Sequence, residues 1–321
     1  MKVLVTGKLP DALMDDLSRE HEVVANQSDF PMPREDVVKH VRDKEGLLCM
    51  ITDKINDEFL RQAPKLRMIA NYGVGYDNID LQSATARGIW VSNTPGVLTD
   101  ATADTAFALI LSVARRVVEG DAIVREGKFN HWAPMLFLGT EVTGKTLGIV
   151  GLGQIGKATA RRAAGFSMRV LYHNRSRIPE AEEKALNAKY VQLHTLLSES
   201  DFVSLHVSLN EQSRHLIGPS ELRLMKPTSY LINVSRGPVV DEAALVSALQ
   251  ECRIAGAGLD VYENEPKQAP GLTALSNVVL LPHVGSATRE TRTKMAALAM
   301  ENLLKGLRGE TPPNCLNCVR R

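Results

Sequence analysis

The sequence is poor in several features that mark other classes of protein. Only four cysteines occur in 321 residues, too few for a disulfide framework in a chain of this length, and this fits a reducing compartment. Lysine and arginine number 38 against 37 acidic residues, so the formal charge of +1 lacks the basic surplus that binding many phosphates requires. These scarcities exclude a disulfide-stapled scaffold and argue against nucleic acid as a partner.

Long hydrophobic runs are also missing. No apolar stretch approaches the roughly 18 to 20 residues of a membrane span. Asp11, Asp15 and Asp16 follow the opening apolar run too soon for a signal peptide. The sequence therefore predicts a cytoplasmic protein with no membrane partner. Its 44% hydrophobic and 23% charged residues are typical of a globular chain, and its length predicts two domains.

Short β-branched or leucine-rich runs alternate with helical patterns along almost the whole chain. This alternation predicts βαβ units and therefore an α/β fold with parallel sheets covered on both faces. Five runs in the first hundred residues predict one sheet, at 3–6, 21–24, 46–49, 68–70 and 89–91. Six more predict a second, doubly wound sheet, at 146–150, 169–172, 202–205, 230–233, 256–259 and 278–281.

The order of these elements predicts a discontinuous first domain. A helical pattern from Thr99 to about Val118 separates the two predicted sheets. After the last strand, one further helical pattern runs from Thr288 to about Leu307 with no strand left to follow it. We expect that helix to pack on the first sheet. The predicted domains are therefore 1–99 with 286–321, and 100–285 inserted between them.

A glycine-rich turn separates the first strand of the second sheet from a helix. Gly151, Gly153 and Gly156 form the pattern G-x-G-x-x-G, with Gln154 and Ile155 between them, directly after the strand that ends at residue 150. In this context the first glycine allows a tight turn, the second allows close approach of a pyrophosphate, and the third allows close helix packing. The pattern predicts a dinucleotide-binding site.

The residue expected at the adenine ribose, about 20 positions further on, is Asn174 rather than an acid. Arg175, Ser176 and Arg177 follow it. They supply two guanidinium groups and a hydroxyl where a ribose 2′-phosphate would bind, with no carboxylate to repel it. We therefore predict NADP as the cofactor, with NADPH preferred over NADH. A solvated basic turn is the alternative.

Three residues suited to anion binding or proton transfer follow separate strands of the second sheet. Arg236, Glu265 and His283 come after the strands that end at 233, 259 and 281. The carboxyl ends of parallel strands are where such sheets bind ligands, so these residues are candidates for a catalytic group. Each also has an ordinary structural interpretation, as a side chain at a turn.

Several longer motifs resemble those of the D-isomer-specific 2-hydroxyacid dehydrogenases. They are NYGVGYDNID at 71–80, NTPGVLTD at 93–100, VGLGQIG at 150–156, NVSRGPVVD at 233–241, GLDVYENEP at 258–266 and LPHVGSAT at 281–288. The motifs are long, occur in order and span nearly the whole chain. Within the family, the sequence is most similar to glyoxylate/hydroxypyruvate reductases, with 2-ketogluconate reductases as near neighbours.

The resemblance implies two doubly wound parallel-sheet domains, with a Rossmann NAD(P)-binding domain inserted in a flavodoxin-like substrate domain. It implies that Arg236 binds the substrate carboxylate and polarises the keto oxygen, that Glu265 hydrogen-bonds His283, and that His283 donates a proton. The implied reaction is NADPH-dependent reduction of a small 2-keto acid, such as glyoxylate, hydroxypyruvate or 2-ketogluconate, to the D-2-hydroxy acid.

The resemblance also implies further binding residues and a dimer. The backbone amides of Val74 and Gly75 would bind the substrate carboxylate. Additional cofactor contacts would come from Thr102, Val207, Ser208, Val234, Asp260 and Gly285, with Asp260 near the nicotinamide amide. Members of the family are usually homodimers, and the apolar segment 119–143 is a candidate interface, with packing inside its own chain as the alternative.

The sequence is also compatible with other functions. The alternatives are another 2-hydroxyacid dehydrogenase, such as a phosphoglycerate dehydrogenase, and a dinucleotide-sensing protein resembling a transcriptional co-repressor. Asp241 and Glu242 precede a predicted helix at 243–249 and are interpreted as capping residues. Cys315 and Cys318 have CxxC spacing without a second ligand pair nearby, so we predict no metal and interpret the pair as incidental.

Overall fold

The computed structural model describes residues 1–318 as an α/β protein. In chain order its strands are β1 (Lys2–Val5), β2 (Glu22–Ala25), β3 (Gly46–Met50), β4 (Met68–Tyr72), β5 (Trp90–Ser92), β6 (Thr146–Val150), β7 (Arg169–His173), β8 (Ala188–Tyr190), β9 (Phe202–Leu205), β10 (Tyr230–Asn233), β11 (Gly256–Leu259) and β12 (Val278–Leu280). Its α-helices are α1 (Asp11–Glu20), α2 (Arg34–Val41), α3 (Asp57–Arg61), α4 (Leu81–Ala86), α5 (Thr99–Ala114), α6 (Val117–Arg125), α7 (Gln154–Ala164), α8 (Glu180–Leu186), α9 (Leu193–Glu199), α10 (Pro219–Leu224), α11 (Glu242–Gln250) and α12 (Arg289–Leu307).

One compact unit comprises Met1–Leu98 and the segment that begins at Ala287. Its five-stranded parallel sheet has the order β2-β1-β3-β4-β5, which is the order of flavodoxin-like folds. As predicted, α12 returns to this sheet. A Cβ added at Gly306 would lie 2.4 Å from Met68 Sδ, so helix and sheet approach closely at the glycine.

The other unit, Thr99–Ser286, contains a seven-stranded parallel sheet in the order β12-β11-β10-β9-β6-β7-β8. Hydrophobic clusters of buried side chains form its core. The strand order reverses between β6 and β9, and doubly wound sheets bind ligands outside the carboxyl ends of the strands at such a reversal. The predicted fold class is therefore confirmed: two doubly wound parallel sheets, with the Rossmann-type unit inserted in the flavodoxin-like one.

The second sheet has one strand more than the six predicted. The additional strand is β8, three residues long, which pairs with β7 from Val170 opposite Ala188 to Tyr172 opposite Tyr190. It lies at the edge of the sheet, where Lys189 is exposed. A short edge strand needs no run of branched apolar residues, because it is not packed on all sides. Hydrophobic patterning therefore fails to reveal it.

The helix predicted from Thr99 to Val118 is two helices. It breaks after Ala114, and Arg116 adopts a left-handed backbone with φ of 55° before α6 begins. No residue of α6 is buried. Large apolar side chains are exposed along α6 and the loop that follows it: Val117, Val118, Val124, Phe129, Trp132, Met135, Leu136 and Leu138. The structure therefore leaves much of the apolar segment without packing partners in its own unit.

The tail that follows α12 is joined to the edge of the first sheet. The Leu316 N–H donates to the Val91 carbonyl at 2.7 Å, and the Asn317 side chain accepts from the Val91 N–H at 2.8 Å. The bend in this tail brings the Cα atoms of Cys315 and Cys318 to 5.7 Å, and the two residues form a disulfide. The interpretation of this pair as incidental is therefore wrong.

Within residues 1–318, no helix has the length and apolarity to span a membrane.

Candidate active site

The glycine-rich turn connects β6 to α7, and each of its glycines meets a different constraint. Gly151 has a φ of 98°, and a Cβ there would lie 2.8 Å from the His206 carbonyl. A Cβ at Gly156 would lie 2.3 Å from the Gly151 oxygen. Around Gly153, by contrast, no atom comes within 4 Å of the Cβ position. The backbone at Gly153 and the first turn of α7, with Gln154 and Ile155, are therefore open to a phosphate-bearing ligand.

A pocket of about 430 Å³ adjoins this turn. It brings together seven of the residues predicted to contact the cofactor: Gly151, Gly153, Asn174, Arg175, Ser176, Val207 and Ser208. Sequence reasoning missed Leu152, His206 and Gln212 in the same lining. The pocket joins the turn after β6 to the segments after β7 and β9, as a dinucleotide site in this fold requires.

Asn174 supports the glycine-rich turn from the end of β7. Its Oδ1 accepts a hydrogen bond of 2.6 Å from the Leu152 N–H. Arg175 is exposed at the rim of the pocket, with Nη1 3.4 Å from Gln212 Oε1. This long contact leaves most of the donors of Arg175 for another acceptor.

Arg177 has a different environment, which corrects its expected equivalence with Arg175. Its Nε and Nη2 donate to Glu183 at 2.8 and 2.6 Å, and Tyr172 donates to the same carboxylate. These bonds, from Arg177 first and Tyr172 second, lower the pKa of Glu183 to about 2. Arg177 does not belong to the lining of the dinucleotide pocket. Its guanidinium is already bound in the bidentate geometry that a phosphate would need.

His206 follows β9 and lies behind the glycine-rich turn. Its Nε2 is 2.9 Å from Ser204 Oγ, and burial lowers its pKa to about 3. The ring is therefore neutral at physiological pH and does not compete with His283 as a proton donor. Its position directly after a strand of the second sheet is the sequence signal that could have placed it at the pocket.

His283 and Glu265 form the predicted pair. His283 Nδ1 lies 2.8 Å from Glu265 Oε2, and the Tyr262 N–H donates to Glu265 Oε1 at 3.0 Å. Burial by itself raises the pKa of Glu265, but the bond to His283 and the charges of His283 and Arg236, with the Tyr262 N–H, outweigh it and lower the pKa. Glu265 is therefore an anion at neutral pH, with its carboxylate beside the ring nitrogen of His283.

Asp260 fixes the backbone that carries His283. Its Oδ1 and Oδ2 accept from the Val284 and Gly285 N–H groups at 2.7 and 2.8 Å, while its backbone carbonyl accepts from the His283 N–H at 2.9 Å. Burial raises the pKa of Asp260, and these N–H groups oppose that effect. His283 has a φ of 55°, an unfavourable conformation for a side chain of its size. Asp260 therefore holds the histidine in a backbone state that it would otherwise leave.

Thr102 and Gly285 lie beside Asp260. A Cβ at Gly285 would be 3.0 Å from Asp260 Oδ2 and 3.4 Å from Thr102 Cγ2. The structure thus brings together three residues that the sequence predicts as cofactor contacts. Val234, predicted with them, is a buried member of the hydrophobic core at the end of β10.

Arg236 is carried by the loop that follows β10. This loop packs directly on the loop that carries Glu265, because a Cβ at Gly237 would lie 1.8 Å from the Tyr262 carbonyl carbon. The Asn233 side chain donates to the Arg236 carbonyl at 3.0 Å and holds the turn. Glycine at 237 is therefore a requirement for bringing Arg236 near Glu265.

Asp241 and Glu242 have separate structural roles. Asp241 caps α11 by accepting from the Ala244 N–H at 2.9 Å, as predicted. Glu242 is buried and accepts from the Glu263 and Ala269 N–H groups at 2.7 and 2.8 Å. Its interpretation as a second capping residue is wrong, because its carboxylate holds the neighbouring loop instead of its own helix.

Val74 and Gly75 belong to the other unit, in the loop after β4. Two buried amides that sequence reasoning missed hold this loop: Asn93 Nδ2 donates to the Val74 carbonyl, and Asn71 Nδ2 donates to the Gly75 carbonyl, both at 2.8 Å. Both amides occur in the motifs that carry the family resemblance. Their proximity to a glycine-containing loop is the signal that could have identified them.

A dinucleotide pocket at the strand reversal, with a histidine–carboxylate pair after the neighbouring strands, defines a nicotinamide-dependent oxidoreductase fold. Residues 107–285 match the sequence model of a protein family described as "D-isomer specific 2-hydroxyacid dehydrogenase, NAD binding domain". The chain belongs to the D-isomer-specific 2-hydroxyacid dehydrogenase family.

Named relatives cover nearly the whole chain. A glyoxylate reductase of Thermococcus litoralis is 52% identical over 98% of this chain and 96% of its own. The crystal structure of a glyoxylate reductase from Paecilomyes thermophila is 35% identical, with a TM-score of 0.88 and 98% of each chain covered. An NADPH-dependent glyoxylate/hydroxypyruvate reductase from Sinorhizobium meliloti, in complex with NADP and malonate, is 34% identical with a TM-score of 0.88, covering 100% of this chain and 98% of that chain.

The His283–Glu265 pair leads to a pH-dependent prediction. Glu265→Gln keeps the size of the side chain but removes the negative charge that favours a protonated ring. We expect the alkaline limb of the kcat/KM profile for 2-keto acid reduction to move to lower pH, with activity at pH 8 reduced about tenfold or more. The matched control is Glu263→Gln, which removes the carboxylate 2.6 Å from His215 in the same region of the chain. An unchanged profile in Glu265→Gln would contradict the role of the pair.

Proposed function

We propose that the protein reduces a small 2-keto acid to the D-2-hydroxy acid with NADPH, and that glyoxylate and hydroxypyruvate are its first candidate substrates, with 2-ketogluconate third. The observation that carries the proposal is the hydrogen bond between His283 and an ionised Glu265, in the unit that holds the dinucleotide pocket. The names of the relatives support the same choice of substrate.

In the proposed mechanism, each of the three catalytic residues has one task. Arg236 binds the substrate carboxylate and polarises the keto oxygen, for which a permanently charged planar fork is suited. His283 donates a proton to the keto oxygen as that oxygen gains negative charge. Glu265 holds the ring and stabilises its protonated form before transfer. The reduced nicotinamide, when bound, supplies the hydride.

Binding tasks fall to the remaining predicted residues. We propose that the unit Thr99–Ser286 holds the dinucleotide through Thr102, Gly151, Gly153, Gln154, Ile155, Gly156, Asn174, Val207, Ser208, Val234, Asp260 and Gly285. The other unit is the proposed substrate domain, with the backbone N–H groups of Val74 and Gly75 as ligands of the substrate carboxylate.

We propose that Arg175 and Ser176 give the preference for NADPH by binding the ribose 2′-phosphate. Both line the pocket, and Arg175 has donors that are not engaged in short contacts. Arg177 takes no part in this preference in our proposal, because its guanidinium is paired with Glu183 of α8.

We also propose a homodimer, formed through the exposed apolar side chains of α6 and the loop after it. Trp132 and Met135 are 77% and 79% exposed, and folded monomers rarely leave such residues clustered in water.

A cytoplasmic location is proposed as well, because the reaction consumes a reduced nicotinamide that is made inside the cell.

The proposed reaction is tested by nicotinamide absorbance with NADPH and NADH in parallel, against glyoxylate, hydroxypyruvate and 2-ketogluconate. We expect NADPH oxidation with at least one of them. His283→Ala should lower turnover by about 10² to 10⁴ without changing the NADPH dissociation constant, because only the proton donor is lost. His215→Ala is the matched control, since it breaks the other histidine–glutamate pair. No turnover with any of the three, while NADPH still binds, would overturn the proposal.

The cofactor preference is tested by Arg175→Ala. Hydrogen bonds to charged groups contribute about 1.5–3 kcal/mol, so the NADPH to NADH ratio of kcat/KM should fall roughly tenfold to a hundredfold. In Arg177→Ala the ratio should stay the same while the melting temperature drops, because Glu183 loses its partner. A fall in the ratio for Arg177→Ala alone would reverse the assignment of the two arginines.

The interface is tested by Trp132→Asp combined with Val118→Asp, measured by sedimentation at several concentrations. The wild-type protein should have the mass of two chains and the variant that of one, because a buried charge opposes association. Phe30→Asp is the control, since Phe30 is 79% exposed but lies outside the apolar segment. A variant that remains a dimer would remove this face as the interface.

A further inference from the structure

The loop after β4 has three successive carbonyl groups that are all held from one side. The Thr94 N–H donates to the Gly73 carbonyl at 3.0 Å. The Asn93 side chain donates to the Val74 carbonyl, and the Asn71 side chain donates to the Gly75 carbonyl, each at 2.8 Å. All three donors belong to residues that are 7% exposed or less. The buried side of the loop is thus lined with donors.

Because peptides are planar, the direction of each of these three carbonyl groups also sets the direction of the N–H group that follows it. In a trans peptide, the carbonyl of one residue and the N–H of the next point in opposite directions. The N–H groups of Val74, Gly75 and Tyr76 therefore point away from the buried donors. Throughout residues 1–318, none of these three groups donates to a protein acceptor. Successive N–H groups directed to one side form a concave site for an anion.

The side-chain amide of Asn71 has a determined orientation. Asn71 Oδ1 accepts from Asn78 Nδ2 at 3.2 Å and lies 3.6 Å from Cys49 Sγ, so its oxygen faces donors and its NH₂ group faces the loop. The Asn71 backbone carbonyl also accepts from the Gly73 N–H at 3.0 Å. Asn71 is completely buried in β4, so its position is set by the sheet.

The position of Asn93 is set through its backbone. It follows β5, and its backbone carbonyl accepts from Asn302 Nδ2 of α12 at 3.4 Å. The loop backbone at Gly73 lies close to Ile51, because a Cβ added at Gly73 would be 2.4 Å from Ile51 Cγ2. Each of the two side-chain amides holds one further peptide of the loop, at Val74 and at Gly75.

We propose that Asn71 and Asn93 are positioning residues for the substrate carboxylate: they hold the Val74 and Gly75 carbonyls so that the N–H groups of Gly75 and Tyr76, with that of Val74, stay directed at a bound carboxylate. Neither side chain touches the substrate. This inference rests on the proposed function, because it assigns the loop a carboxylate ligand. Loss of either amide frees one peptide to rotate and weakens carboxylate binding without altering the dinucleotide pocket.

The test compares Asn93→Ala and Asn71→Ala with the wild-type enzyme. We expect the KM for glyoxylate and the dissociation constant of oxalate, an unreactive dicarboxylate, each to rise about tenfold or more. The KM for NADPH should change less than about twofold. Asn26→Ala is the matched control, because Asn26 also donates to two loop carbonyls of the same unit, of Thr6 and Phe30, at 3.1 and 2.8 Å.

The outcomes separate this inference from the proposed function. Wild-type enzyme that neither reduces glyoxylate nor binds oxalate would overturn the proposed function. Active wild-type enzyme with unchanged glyoxylate KM and oxalate binding in the variants would overturn the positioning role alone. The positioning role would also be overturned if the KM values for glyoxylate and NADPH rose together, in proportion to the loss of thermal stability, because a purely structural role predicts that result. If Asn71→Ala does not fold, Asn93→Ala decides the matter, since Asn93 is the less buried of the two.

Discussion

The parallel register of the seven-stranded sheet is the constraint on which the rest of the site depends. One row of paired residues crosses five neighbouring strands: Val150, Leu205, Asn233, Leu259 and Leu280. The segments that follow these residues all leave the sheet at one edge. They carry the glycine-rich turn, His206, Arg236, Glu265 and His283. Because the strands end at the same edge of the sheet, residues that are far apart in the sequence lie close together there, and a short loop is enough to carry each functional group.

Buried side chains hold the loops that follow the strands of both sheets. Loop N–H groups without ladder partners need acceptors, and Asp260 and Glu242 supply carboxylate oxygens to two such pairs. In the other unit the polarity is reversed: Asn71 and Asn93 supply N–H donors to loop carbonyls. This difference has a chemical consequence. The carboxylates of Asp260 and Glu242 accept from backbone N–H groups and so hold the loops that carry His283 and Glu265. The amides of Asn71 and Asn93 donate to backbone carbonyls, so the N–H groups on the opposite side of those peptides stay available to an anion.

Two arginines that lie two residues apart in the sequence, Arg175 and Arg177, have different partners in the structure. Arg177 is bound to Glu183 on α8, and only Arg175 remains at the pocket. The proposed preference for NADPH therefore depends on one guanidinium, and not on two equivalent guanidinium groups. Tyr172 of β7 donates to the same Glu183 carboxylate. A basic cluster in a sequence can therefore overstate the positive charge that a ligand meets, because an acid six residues further on already binds one of the two guanidinium groups.

The fold class, nearly every strand and the candidate catalytic residues could be predicted from the sequence, because strand patterning, the spacing of glycines and the residues that follow strands are local properties. Other features depend on contacts between distant parts of the chain. Edge strand β8 and the break at Arg116 depend on neighbours rather than on propensity. The partners of Arg177, Glu242 and Asn93 come from other elements, and the bond between Cys315 and Cys318 depends on a bend held against β5. A side chain's role follows from which unsatisfied group lies within about 3 Å of it, and only the folded chain sets that distance.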